Sequence, residues 1–142
     1  MPLWASVPSS AAMQRFLDFD LDEGIGLVDN PHVNRIAALG FALEEMLDDP
    51  GYGARVIENA RALAAALDEA GVPVRFKEKG FTASHQVLLD LPQEEAQAYC
   101  HKLEEAGIYI DIGGRMGTAE VTRRGMGARE MKEIAALMAE LR

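Results

Sequence analysis

Residues 73–92 read P-V-R-F-K-E-K-G-F-T-A-S-H-Q-V-L-L-D-L-P. Two apolar runs, Pro73 to Phe76 and Gln86 to Leu91, flank a turn containing lysine and glycine, which predicts an antiparallel pair of strands. Pro92 opens a helix that places Ala96, Tyr99, Cys100, Leu103 and Ala106 on one face, and Gly107 ends it. Further along, Ile108 to Ile112 predicts a strand, Gly113-Gly114 a turn, and Arg115 to Thr118 a short extended piece. Gly125-Met126-Gly127 bends the chain into a last helix over residues 128–141, which buries Met131, Ile134, Ala135, Met138 and Leu141.

Two helices precede the strand pair. One starts near Pro31, with Asn30 as N-cap and proline in the first turn, and stops at Pro50-Gly51. Its apolar residues, Val33, Ile36, Ala37, Leu39, Phe41, Leu43, Met46 and Leu47, cover more than a narrow stripe. Such a helix is buried on most sides or packs on a partner. The next, from about Tyr52 to Ala70, repeats Val56, Ala60, Leu63, Ala64 and Leu67 at helical spacing, with Gly71 just past its end. The fold class this order implies is α/β (α+β): a two-layer sandwich of helices on a small, largely antiparallel sheet. Residues 1–29 read as an irregular N-terminal segment or linker, in which Phe16 to Glu23 alternates apolar and acidic residues. Residues 30–142 read as the domain.

Composition narrows the function. The 142 residues are 49% hydrophobic and carry a net charge of −9. A core is affordable, but no basic face is available for nucleic acid or for an anionic membrane. No apolar run approaches the roughly 18 residues of a membrane span. Residues 1–10 lack the basic and apolar regions of a secretion signal. The single cysteine, Cys100, permits no internal disulfide and fits a reducing, cytoplasmic compartment. Cys100 falls on the apolar face of its helix, as an inert core thiol does. The three histidines, His32, His85 and His101, have no partner at metal-ligand spacing, so no metal is expected. No glycine-rich phosphate loop precedes a helix. Arg115 follows Gly113-Gly114 at a strand start. There it either offers its planar fork to a carboxylate or lies solvated on the surface.

Three segments, taken together, resemble the serine hydroxymethyltransferase family. Residues 115–125, R-M-G-T-A-E-V-T-R-R-G, are similar to its arginine-x-glycine-threonine segment. Residues 82–91, T-A-S-H-Q-V-L-L-D-L, are similar to its threonine-x-x-histidine strand, and 31–38, P-H-V-N-R-I-A-A, to the opening of its small-domain helix. The resemblance implies the C-terminal small domain of a fold-type-I pyridoxal-phosphate (PLP) enzyme, covering residues 30–142 in order. It implies that Arg115 binds the carboxylate of an amino-acid substrate, and that His85 and Thr118 act as structural or supporting residues. It further implies PLP as cofactor of the complete enzyme, an electron sink for cleavage at the α-carbon of serine or a similar β-hydroxy amino acid.

By the same resemblance the cofactor lysine belongs to a large domain. Lys77, Lys79, Lys102 and Lys132 lie outside its threonine-histidine-lysine context. This chain is therefore expected to hold no catalytic and no cofactor-binding residue. Its expected partner is that large domain or a second copy of itself in a dimer. Three departures stand out: Asp29-Asn30 where the family has glycines, Asn34 for a second histidine, and a much shorter loop before Arg115. The last speaks against folate. Another fold-type-I enzyme, an aldolase or aminotransferase relative, and a non-catalytic association module remain the alternatives.

Overall fold

A computed structural model describes residues 32–142, together with the backbone of two short strands before them. Those strands, β1 (Phe19–Asp20) and β2 (Gly24–Ile25), pair antiparallel within the acidic, alternating N-terminal stretch. The expected caps Asn30 and Pro31 lie outside the described residues. Helix α1 (Val33–Asp48) begins on bonds to the His32 carbonyl, and none of its residues is buried. The chain divides inside α1 into two units, Met1–Glu45 and Met46–Arg142.

The second unit holds the core. Helix α2 (Tyr52–Glu69) buries Val56, Asn59, Ala60, Leu63, Ala64 and Leu67. The face the spacing predicts is present, with one polar residue added to it. Its end is closed by Gly71, after which the Val72 N–H reaches back to the Leu67 carbonyl at 2.8 Å. Helix α3 (Gln93–Glu105) ends in the same motif at Gly107, with Ile108 N–H on the Leu103 carbonyl at 2.8 Å. Helix α5 (Ala128–Glu140) packs along α2 and buries Met131, Ala135 and Met138. The Tyr99 hydroxyl fastens α3 to α5 by donating to the Met138 carbonyl at 2.6 Å.

The sheet is smaller than predicted. Strand β3 (Gln86–Leu88) pairs antiparallel with β4 (Arg115–Gly117), Leu88 opposite Arg115. Val87 and Met116 point into the core, where Leu67, Leu103, Met131 and Met138 meet them. The expected strand at Pro73 to Phe76 shrinks to a single bridge, Val74 to Leu89. Phe76 takes a left-handed φ of 64° and leads into a 3₁₀ turn, Lys77–Lys79, so the run leaves its partner after two residues. The expected strand at Ile108 to Ile112 forms no ladder at all. Ile108 and Ile110 do pack on the core while Tyr109 faces out, so the alternation is real. Alternation reports which face is buried and does not supply a strand to pair with. A short helix that the sequence did not suggest, α4 (Ala119–Arg123), follows β4. No described helix is long and apolar enough to cross a membrane.

Candidate functional site

Arg115 stands on the outward face of β4, at the end of a tight turn. The Asp111 N–H donates to the Arg115 carbonyl at 3.1 Å, and the Gly114 N–H donates to the Asp111 carbonyl at 2.7 Å. The Asp111 side chain closes the turn from outside, its Oδ1 accepting from the Gly113 N–H at 3.0 Å. Gly114 has a φ of +75°, and a Cβ there would stand 3.1 Å from that of Leu89. Both the backbone angle and the close approach therefore call for glycine. The Gly114 carbonyl accepts from Leu89 N–H at 2.9 Å, which ties the turn to the strand end.

The Arg115 side chain is half exposed. Its Nη2 lies 3.4 Å from Oδ2 of Asp111. The other nearby acid, Glu120, is taken by Arg124 Nε at 2.9 Å. Behind the turn, the Cys100 thiol donates to the Asp111 carbonyl at 3.3 Å, and burial pushes that thiol's pKa up. It is held in its protonated, unreactive form, as its place on an apolar helix face implies.

Thr118 lies directly beyond β4 and is fully buried. Its hydroxyl donates to the Val56 carbonyl of α2 at 2.9 Å, and its N–H to the His85 carbonyl at 3.0 Å. His85 thus takes part through its backbone, and its ring is exposed beside Gly117. Three residues that sequence reasoning missed complete the attachment. The Asn59 amide donates to Thr122 Oγ1 at 2.9 Å and to the Met126 carbonyl at 2.8 Å. Thr122 Oγ1 donates onward to the Thr118 carbonyl at 2.6 Å. The Tyr52 hydroxyl donates to the Ala119 carbonyl at 2.8 Å. The available signal was Asn59 itself: a polar residue within the apolar stripe of α2 has to find partners there. These bonds fix the segment after Arg115 to a rigid helix, so the arginine sits on a firm base.

No family model matches the chain. Complete proteins do. It is 44% identical to a serine hydroxymethyltransferase of Korarchaeum cryptofilum, over 79% of this chain and 30% of that protein. It is 39% identical to one of Methanopyrus kandleri, over 90% of this chain and 34% of that protein. This is a domain of the serine hydroxymethyltransferase family. The domain spans about a third of the length of the curated relatives it matches. Among solved structures it is similar to the L-threonine transaldolase from Pseudomonas fluorescens in its internal aldimine state. That match has a TM-score of 0.57 and 33% identity, over 63% of this chain and 23% of that one.

A cofactor held through a lysine needs an amine that is desolvated or stands beside another cation. The lysines of this serine hydroxymethyltransferase-family domain do not fit that requirement. All four are exposed. Lys77 pairs with Asp68, and Lys102 donates to the terminal Arg142 carbonyl at 3.3 Å. The Lys79 amine lies 5.8 Å from the centre of the Phe76 ring, at the edge of an open groove of about 310 Å3 that Phe81, Gln86 and Leu88 also line. Among the described residues no cluster of histidine, cysteine and acidic side chains could hold a metal ion. His101 lies 3.5 Å from Glu104 on the surface of α3.

Proposed function

We propose that this domain supplies the substrate-carboxylate arginine, Arg115, to a PLP-dependent enzyme of the serine hydroxymethyltransferase type, in the cytoplasm. A separate large domain would carry the cofactor. One observation carries the reading. Arg115 is presented outward from a turn built of glycines and anchored to α2, and among the described residues its side chain makes one long contact, to Asp111. A guanidinium in that state has most of its five N–H groups open to a ligand, and its fork matches a carboxylate.

When bound, PLP would supply the electron sink for bond cleavage at the amino acid's α-carbon. This domain would bind and orient the substrate by its carboxylate, leaving the cleavage chemistry to residues of the large domain. The four-residue turn Asp111–Gly114 leaves no loop to reach a folate, and the likeness to a transaldolase favours a second reading, an aldol-type reaction on a β-hydroxy amino acid without folate.

The test is a chimera in which this chain replaces the matching stretch of the Korarchaeum cryptofilum relative. Arg115→Lys should weaken serine binding by ~2–5 kcal/mol, the cost of breaking a desolvated charge pair, while leaving the fold intact. An unchanged KM for serine would remove Arg115 from the role. Saturable tetrahydrofolate binding by calorimetry would overturn the exclusion of folate.

A further inference from the structure

We infer that Asp111 is the resident counter-ion of Arg115 and sets how tightly the arginine takes an incoming carboxylate; the inference rests on the role for Arg115 proposed above. The two groups differ in freedom. Asp111 is held at four points: its N–H on Arg115, its carbonyl under Gly114 N–H and the Cys100 thiol, and its Oδ1 on Gly113. Three of these contacts fix its backbone in the turn, and the Gly113 N–H ties its carboxylate to it. The Arg115 side chain is more than half exposed, and its contact to Asp111, at 3.4 Å, is well beyond the roughly 2.7–2.9 Å of a close charge-assisted bond.

Asp111 therefore engages the guanidinium weakly, from a fixed place in the turn. It occupies one N–H direction and leaves a two-pronged edge for a ligand. A ligand carboxylate on that edge shares one positive charge with the Asp111 carboxylate, and like charges drawn to one site disfavour each other. Asp111 thus lowers affinity for a carboxylate while keeping the arginine at the mouth of the turn. It also raises the cost of a second negative charge on the ligand, which favours amino acids with one carboxylate. The four-residue turn is what brings an acid this close. Glu120 is engaged by Arg124, and among the described residues Asp111 is the carboxylate within ion-pair distance of Arg115.

The substitution that isolates charge is Asp111→Asn, because the asparagine oxygen can still accept from Gly113 and preserve the turn. In the chimera it should lower KM for L-serine by about two- to fivefold, the span of an exposed ion pair, with kcat unchanged. The gain should shrink as salt is raised. In the full chain alone, the Arg115 Nε–H resonance titrated with sodium acetate should reach half-saturation at a concentration lower by the same factor. A KM and an acetate midpoint that stay put, or rise, would overturn the inference. The two readings fail separately. If Arg115→Lys leaves serine KM unchanged, the carboxylate role itself is wrong. If Arg115→Lys raises KM but Asp111→Asn moves neither readout, only the part given to Asp111 is wrong.

Discussion

Asn59→Ala removes the tether that joins α2 to the segment after Arg115. The amide donates twice, at 2.9 Å to Thr122 Oγ1 and at 2.8 Å to the Met126 carbonyl. A neutral hydrogen bond contributes about 0.5–1.5 kcal/mol net, and a buried group left unpaired costs about 1–3 kcal/mol. Two features hold the total towards the low side. Thr122 Oγ1 keeps its own donation to the Thr118 carbonyl at 2.6 Å. Met126 is 36% exposed, so water can reach its carbonyl in the variant. The sum is about 2 kcal/mol, which for a unit of this size lowers Tm by about 8–16 °C. Asn59→Asp should be worse, because a carboxylate of the same shape offers no donor and faces two oxygens. Urea unfolding followed by circular dichroism measures both. A cycle with Thr122→Val adds a sharper criterion: the two residues share one bond, so the double variant should lose about 0.5–1 kcal/mol less than the sum of the singles. A loss below about 0.5 kcal/mol for Asn59→Ala, or strict additivity in the cycle, would refute the tether.

Three other perturbations test separate parts of the structure. Gly114→Ala forces a left-handed alanine against Leu89 and should cost about 2 kcal/mol in urea unfolding; a neutral result would mean the turn adopts another backbone. The Glu130 carboxyl is pulled from 4.5 to about 2, first by the Gly127 N–H and then by Arg129. A depressed folded pKa stabilises above the unfolded value, so this contribution is complete above pH 4.5 and fades as pH falls towards 2. Glu130→Gln should flatten the fall of the urea midpoint across that window, and an unchanged slope would discount the cap. On α1, Phe41 and Leu47 are 71% and 76% exposed within a run of apolar residues, which should drive association or binding of a hydrophobic dye. Phe41→Glu should reduce dye fluorescence and the sedimenting mass, and a parent chain that stays monomeric without binding dye would contradict this.

The sequence by itself determined what depends on near neighbours along the chain. Helices α2, α3 and α5 follow from apolar residues three and four apart, and their ends from Gly71, Gly107 and Gly127. The three quoted segments likewise carried the family, because motif order is a property of the chain alone. Arg115 was legible as a candidate for the same reason. What lay beyond the sequence depends on partners far along the chain. The alternation of Ile108 to Ile112 located a buried face, but whether an edge lay alongside was settled in three dimensions, and it did not. Phe76 reads as the end of a strand, yet its left-handed backbone sends the chain into a turn. Asn59 and Thr122 stand 63 residues apart, and no local pattern relates them. The same holds for the state of Arg115: the pattern marked the residue, and the folded chain pairs it with Asp111 while Glu120, on α4, pairs with Arg124. Side-chain pairing of this kind is decided by distances of a few ångströms, which packing alone sets.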